Sequence, residues 1–264
     1  MNYKSNLKQF FHGFNIVIFT LVLLFLYIPI LILILYSFND SKIIAGWNGF
    51  TFKYYRLLWE NDNLRNAFWN SLSVATISTI ISTAIGLITA LGLENKYFKA
   101  KKLLQGIIFL PLVMPDILMG VSIAMLFSFL RFPMGKITVI IAHITFCVSY
   151  TIIVIQSRLQ GFDHSLQEAA MDLGANKNQF FWKVKFPIIL PGILAAGLLA
   201  FTLSLDDFII TFFSTGRGFN TLPVYVESAI RRGSVTTINA LSTIMIMLTL
   251  FITFISKPIR KMLI

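Results

Sequence analysis

Apolar runs of about twenty or more residues recur along this chain, and they limit its fold more than any other feature. A helix of about 20 residues crosses a hydrocarbon core of roughly 30 Å. A segment inside lipid must satisfy its own backbone hydrogen bonds, so it is either a helix or a strand of a closed barrel. Because these runs are continuous and show no alternation, they predict helices. The fold class is therefore predicted to be all-α, a polytopic membrane protein.

Charged residues make up 12% of the chain, about half the share typical of soluble domains. The formal net charge of +11 comes mainly from Lys and Arg outside the apolar runs, a pattern that fits membrane topology and anionic lipid better than nucleic acid. Cys147 is the only cysteine, and His12, His143 and His164 lack metal-ligand spacing. We therefore expect membrane lipid as a partner, and neither nucleic acid nor a bound metal.

The limits of the apolar runs predict six spans joined by polar loops, in a transmembrane domain that covers residues 14–256. The first run is longer than a signal-peptide core and has no small-residue cleavage site, so it is predicted to be a retained helix. An even number of spans places the polar termini, 1–13 and 257–264, on the same side of the membrane. The predicted spans are 14–38, 67–93, 103–129, 137–156, 188–213 and 236–256.

The basic residues predict the orientation of these spans. Thirteen Lys and Arg residues lie on the side of the termini, and nine lie on the opposite side. The short loop 94–102 holds four lysines in nine residues, which is the strongest signal, because Lys and Arg favour short cytoplasmic loops. Both termini are therefore predicted to be cytoplasmic.

Small residues form a stripe on the second predicted span. Ser78, Ser82, Gly86 and Ala90 recur every four positions, which places them on one face of a helix. Small side chains at such spacing let two helix backbones approach closely. The second span is thus predicted to pack tightly against a neighbouring helix.

The stretch 161–187 is a long polar interval between two apolar runs, and the predicted topology makes it cytoplasmic. Its first half predicts a helix over 164–173, with Asp163 as N-cap and Gly174 at the C-terminal end. A second short helix is predicted over 179–184, started by Asn176 or Asn178. Two amphipathic helices at an angle would form either a docking knob or a hairpin lying on the lipid headgroups.

The spacing inside this stretch is specific. The tripeptide Glu168–Ala170 is followed after three residues by Gly174, and after nine more by Val184, with Phe186 and Pro187 behind it. This pattern resembles the EAA loop of ABC importer permeases, with Val184 and Phe186 in place of the usual Ile and Leu. The resemblance implies a type I ABC importer permease fold.

In that family the loop is a coupling helix that sits in a cleft of a cytoplasmic ATPase. The resemblance assigns the ATPase contact to four residues, Glu168, Ala169, Ala170 and Gly174. The chain itself has no phosphate-binding glycine loop, so ATP would be bound and hydrolysed by a separate ATPase dimer. We expect no cofactor in this chain and no enzymatic activity of its own.

Three acidic residues, Asp116, Asp206 and Asp207, fall inside the predicted spans, where no Lys or Arg lies at a comparable depth. Such acids are costly in lipid and normally face a cavity or a partner. One of them could be structural, near a helix end or paired with a cation from another helix. Three together favour a path for a cation, and Ser204 lies beside the pair in the same predicted helix.

Further stretches, including MPDILMG at 114–120, HITFC at 143–147 and SLDDF at 204–208, resemble the polyamine permeases of spermidine/putrescine importers. That resemblance implies a path for ammonium groups, lined by Asp116, Ser204, Asp206 and Asp207. Tyr54 is a candidate for the outer mouth through cation–π contact, although an ordinary interfacial anchor is the simpler interpretation.

The sequence is thus interpreted as a permease subunit of an ATP-driven importer in the bacterial inner membrane, moving polyamines by alternating access. The implied partners are a second, homologous permease that forms a heterodimer, the ATPase dimer and an extracytoplasmic polyamine-binding protein. An importer for another solute, such as ferric iron, is the nearest alternative. A cation-coupled secondary transporter would not need the EAA pattern, and no nucleophile–base pair supports a membrane enzyme.

Overall fold

A computed structural model describes residues 3–41, 46–94, 100–163 and 165–262, and describes side chains between 14 and 250 within these ranges. The described residues are helical apart from turns, loops and an isolated bridge between Asn39 and Phe50, which confirms the all-α class. The helices are α1 Tyr3–Tyr36, α2 Lys53–Trp59, α3 Asp62–Glu94, α4 Lys101–Val113, α5 Asp116–Phe129, α6 Lys136–Gln160, α7 Ser165–Asp172, α8 Lys177–Phe180, a π-helix Phe181–Lys185, α9 Phe186–Asp206, α10 Ile209–Ser214, α11 Leu222–Arg231 and α12 Val235–Met262.

Four helical stretches in the described part of the chain are long and apolar enough to cross a membrane. They are Phe14–Tyr36, Asp62–Glu94, Lys136–Gln160 and Lys177–Asp206. The pair α4 and α5 would make a fifth span if the two helices cross together, and the apolar part of α12, Val235–Leu250, is shorter. The number of six spans therefore stays a prediction.

The third and fifth predicted spans differ from the structure in one respect, because neither is a single straight helix. The span predicted at 103–129 is bent by 111° between α4 and α5. Pro115 explains this bend, since it has no N–H and forces Met114 into the extended conformation seen there, with ψ 135°. The span predicted at 188–213 ends as α9 at Asp206, and the chain restarts as α10 at Ile209.

The chain divides into two compact units, and the first comprises Met1–Asp62 and Val226–Ile264. In it α12 packs against both α1 and α2. The Ser37 hydroxyl lies 2.6 Å from the hydroxyl of Tyr55, which ties the end of α1 to α2. Tyr54 is buried in the same unit, with 5% of its surface exposed.

The second unit, Asn63–Tyr225, is built around α6. The predicted small-residue stripe of α3 is fully buried in it, from Ser78 to Ala90. Thr151 of α6 donates a hydrogen bond to the carbonyl of Ser82 at 2.9 Å, and Ser78 donates to the carbonyl of Ile140 at 3.3 Å. The stripe therefore packs against α6 as the spacing predicted.

The polar interval 161–187 begins with a short exposed helix, α7, whose predicted first residue, His164, lies outside the described residues. Asp163 accepts a hydrogen bond from the backbone N–H of Ser165 at 2.9 Å, as an N-terminal cap does. Gly174 has φ +83°, the left-handed conformation predicted for it at the end of this helix.

The second half of this interval corrects the sequence-based expectation. Asn176, not Asn178, starts the next helix, because its side chain accepts from the N–H of Gln179 while the side chain of Gln179 accepts from the N–H of Asn176. The helix does not end before Pro187. It runs through the π-helical turn into α9, and the N–H of Phe186 bonds to the carbonyl of Phe181, five residues back, so the turn that precedes the proline is wider than an α-helical one. One continuous rod, Lys177–Asp206, therefore connects the polar interval to the membrane domain.

Candidate functional site

A cavity of about 590 Å³ lies within the second unit, where the two broken helices come together. Its walls combine carboxylates, aromatic rings and aliphatic side chains, and it has no Lys or Arg among its lining residues. The lining consists of Pro111, Asp116, Met119, Phe146, Tyr150, Thr202, Leu203, Asp206, Asp207, Phe208, Ile209 and Ile210.

The break between α4 and α5 supplies one side of the cavity. Asp116 is the first residue of α5, directly after Pro115. Since Pro115 cannot donate, the carbonyl of Pro111 loses its usual partner in the helix ladder. The C-terminal end of α4 therefore brings a partial negative charge to this side, and Asp116 adds a carboxylate.

The break between α9 and α10 supplies the other side. Asp206 ends α9, and Asp207 is extended, with ψ 123°. The last turn of α9 contributes Thr202, Leu203 and Asp206 to the cavity wall. Three carboxylates thus line one cavity, at breaks where two helices end and two others begin, and the carboxylates give it the negative charge that attracts cations.

Asp207 is the one of these three carboxylates that already has several donors. Its two oxygens accept from the backbone N–H groups of Ile210 and Thr211, at 3.2 and 2.8 Å, and from the Thr211 hydroxyl at 3.0 Å. The Nε2 of His143 lies 3.3 Å from its Oδ2. Only 10% of the Asp207 side chain is exposed.

Asp116 and Asp206 differ from Asp207 in their exposure and in their hydrogen bonding. Both residues are exposed and line the cavity. Among the described residues, neither carboxylate has a hydrogen-bond or ion-pair partner. These two acids are therefore the carboxylates available to a ligand in the cavity.

The remaining residues predicted for the path lie elsewhere. Ser204 is 4% exposed and is not part of the cavity lining; its hydroxyl lies 2.6 Å from Nδ1 of His143. Tyr54 belongs to the first unit. The structure therefore brings Asp116, Asp206 and Asp207 to one cavity, whereas the roles proposed for Ser204 and Tyr54 stay predictions.

Three residues of α6 that sequence reasoning did not assign to the site take part in it. Phe146 and Tyr150 line the cavity, and His143 holds Asp207 from behind. The rings of Phe146 and Tyr150 pack edge to face, with centroids 6.3 Å apart. Phe146 and Tyr150 follow His143 by three and seven residues, a spacing that places all three side chains on one face of α6. This spacing is the signal by which the sequence could have indicated them.

The four residues assigned to ATPase contact lie on or just after α7. Glu168, Ala169 and Gly174 are exposed, and Ala170 is half-buried. Apolar side chains on and next to α7 are also exposed, most of all Leu173 at 89%. Together they present an apolar, partly acidic surface.

The rod behind this surface is fixed to the second unit by polar contacts at its start. Lys185 lies 2.6 Å from Glu94 at the end of α3, and its ammonium group lies 5.7 Å from the centre of the Phe162 ring. Arg158 donates two hydrogen bonds to the carbonyl of Ile188, at 3.1 and 3.2 Å. These contacts connect the start of the rod to α3 and α6.

Comparison with known proteins defines the class of protein. Residues 82–263 match the family described as the binding-protein-dependent transport system inner membrane component. The fold agrees: a bacterial ABC transporter involved in the import of the acidic polysaccharide alginate has a chain that superposes with TM-score 0.71 at 17% identity, covering 98% of this chain and 99% of that one. A chain of an amino acid ABC transporter superposes with TM-score 0.61, covering 79% and 98%.

Curated relatives place the chain more closely. The spermidine/putrescine transport system permease protein PotC of Escherichia coli K12 is 38% identical over 242 residues, 92% of both chains. The putrescine transport system permease protein PotI of the same organism is 39% identical over 249 residues, 92% of this chain and 89% of the relative. The chain belongs to the binding-protein-dependent transport system inner membrane component family. It is an ABC importer permease subunit, not an enzyme, and ATP hydrolysis belongs to a separate subunit.

Proposed function

We propose that this permease subunit carries polyamines such as spermidine and putrescine across the inner membrane. The observation that supports this most directly is the cavity: among the described residues its walls hold aromatic rings, two carboxylates without a hydrogen-bond or ion-pair partner, and no cationic side chain. Relatives named for spermidine and putrescine transport support the same cargo.

The chemistry of a polyamine fits these walls. Its ammonium groups are separated by methylene chains, so it needs separated anionic contacts with apolar surface between them. Asp116 and Asp206 come from different helix breaks and supply two such contacts. Phe146, Tyr150 and Phe208 supply aromatic surface for the methylenes and for cation–π contact. Release requires that binding here be weak, so two exposed carboxylates suit a path better than a closed, fully hydrogen-bonded site.

The importer would be completed by partners. We propose a second, homologous permease that forms a heterodimer with this chain, a cytoplasmic ATPase dimer and an extracytoplasmic polyamine-binding protein. Both termini would then be cytoplasmic, and the surface around Glu168, Ala169, Ala170 and Gly174 would dock on the ATPase. Closure of the ATPases would push the rod 177–206, which ends at the cavity, and so alternate access to it.

Uptake measured in vesicles that hold the complete complex tests this proposal. Labelled spermidine and putrescine should enter in an ATP-dependent manner, and labelled ferric iron serves as the competing cargo. Asp116→Asn and Asp206→Asn should each raise the concentration for half-maximal uptake by roughly tenfold or more, because a charged hydrogen bond contributes about 1.5–3 kcal/mol.

The matched control is Glu60→Gln, which removes an exposed carboxylate paired with Arg56 in the first unit. This variant should transport like the wild type. Uptake of iron without polyamine, or unchanged polyamine uptake in both Asn variants, would rule the proposal out.

A further inference from the structure

His143 occupies the centre of a buried polar cluster that connects three helices of the second unit. It is fully buried in α6, and its two ring nitrogens contact different sides of the α9–α10 break. Nδ1 lies 2.6 Å from the hydroxyl of Ser204 on α9. Nε2 lies 2.8 Å from the hydroxyl of Thr211 on α10 and 3.3 Å from Asp207.

The hydrogen-bond directions in this cluster are mutually consistent. The Thr211 hydroxyl donates to Asp207, so it accepts from Nε2–H of His143. In the neutral ring Nδ1 is then the acceptor and the Ser204 hydroxyl the donor. Every polar atom that meets the ring has a partner, and the ring of Phe146 on the same helix packs edge to face against it, with centroids 5.6 Å apart. Such a network fixes one geometry, because any loss leaves a buried group unsatisfied.

The two neighbouring acids therefore have different environments although they are adjacent in the chain. Asp207 is held by the first N–H groups of α10 and by His143, with both of its oxygens engaged. Asp206 has no such partners among the described residues and lines the cavity. Asp206 is the last residue of α9, and the hydrogen bonds of Asp207 hold the first turn of α10 directly after it.

We propose that His143 is a positioning residue for transport: with Asp207 it fixes the break between α9 and α10 so that Asp206 faces the cargo. Asp207 acts through this geometry and does not bind the cargo itself. The cargo part of this inference rests on the proposed function, whereas the geometric part does not.

Two substitutions of His143 separate its two contacts. Gln places an amide near the position of Nε2 and keeps a donor for Asp207 and Thr211. Asn places its amide near Nδ1 and keeps only the contact to Ser204. His143→Gln should therefore transport within about threefold of wild type, and His143→Asn should raise the concentration for half-maximal uptake about tenfold.

Asp207→Asn should give a loss similar to that of His143→Asn, and the double variant should lose no more than either one, because the two residues act as a unit. The amount of assembled complex is measured in parallel. A lower maximal rate with an unchanged half-maximal concentration would show a purely structural role. A much larger loss in Asp207→Asn, additive with His143→Asn, would show that Asp207 contacts the cargo directly. Either result would overturn the proposal.

A second readout does not need the cargo. In Asp206→Cys, a cationic methanethiosulfonate reagent should label the new thiol from the cavity, whereas the native Cys147 is fully buried and provides the unlabelled wild-type control. Adding His143→Asn should change the labelling rate at least fivefold, and adding His143→Gln should not. If labelling responds in this way but polyamine uptake is absent, the proposed function fails and the positioning role stands. If neither His143→Asn nor His143→Gln changes the labelling rate, the positioning role fails.

Discussion

The ion pair between Lys185 and Glu94 offers the sharpest test of the proposed coupling between the ATPase-docking surface and the cavity. Lys185 closes the π-helical turn at the start of the rod, and Glu94 ends α3. Their side chains are 15% and 26% exposed, and their charged atoms are 2.6 Å apart. Charge reversal, Lys185→Glu, would put two carboxylates where the pair now lies.

The size of the effect follows from this partial burial. At 2.6 Å the gross attraction is about 6 kcal/mol for an effective dielectric constant of about 20, before the cost of desolvation. Fully exposed pairs contribute about 0–1 kcal/mol, and breaking a fully buried pair costs about 3–5 kcal/mol. A partly buried pair lies between these limits, and breaking it should cost about 2 kcal/mol. This corresponds to a factor of roughly 30 in the population of molecules in which the rod is held against α3.

The assay measures uptake and ATP hydrolysis together in the complete complex. Lys185→Glu should reduce the cargo moved per ATP about tenfold or more, with ATP hydrolysis largely retained. Glu94→Lys should do the same, and the exchanged pair, Lys185→Glu with Glu94→Lys, should recover at least half of the coupling. Lys183→Glu is the matched control: it makes the same charge change two residues away, at an exposed side chain with no ion-pair partner among the described residues.

The reasoning fails if the exchanged pair is as defective as the single variants. It also fails if Lys185→Glu and Lys183→Glu behave alike. In the first case the geometry around Lys185, including the Phe162 ring, would matter more than the charge pair. In the second case the loss would reflect only the net charge of the segment.

Two further predictions concern glycines. Gly86→Ala should lower the thermal unfolding midpoint of the complex, because the added Cβ would lie 2.9 Å from Cβ of Thr151 and 3.3 Å from the backbone N of Ile152; overpacking of this kind costs about 1–3 kcal/mol. Gly92→Ala on the same helix meets nothing within 4 Å and should be neutral or stabilising, so equal midpoints would contradict the close packing of α3 on α6. Gly174→Ala should lower the cargo moved per ATP, because the φ of +83° at this position costs a residue with a Cβ about 1–2 kcal/mol. Gly174→Asn should have a smaller effect, since Asn tolerates this conformation better. Equal uptake per ATP in both variants and the wild type would contradict this prediction.

Much of the fold could be read from the sequence because local physics determines it. Apolar runs predict membrane helices, and the small residues from Ser78 to Ala90 predict the buried face of α3. Gly174 and Asp163 predict the two ends of α7, since an N-cap and a left-handed C-terminal residue are local requirements.

The helix breaks were harder to predict because they depend on competition between the backbone and its surroundings. Pro115 predicts an interruption of the helix. The sequence does not show whether the interruption is a slight kink or a bend as large as the 111° between α4 and α5. Pro187 gives the opposite lesson, since the helix that begins at Lys177 continues through it, directly after the π-helical turn Phe181–Lys185. In α9 no proline or glycine marks the end at Asp206, so only the structure reveals it.

The break at Asp206 changes how the adjacent acids must be interpreted. On a continuous helix through 213, Asp206 and Asp207 would point about 100° apart, and Ser204 and Thr211 would flank Asp207 on one face. The structure keeps this neighbourhood but places His143, from the distant helix α6, at its centre. The sequence shows two adjacent aspartates, but it does not show which of them a residue of a distant helix will contact. Because His143 and the start of α10 engage both oxygens of Asp207, Asp206 at this break and Asp116 at the other are the cavity carboxylates that have no partner among the described residues.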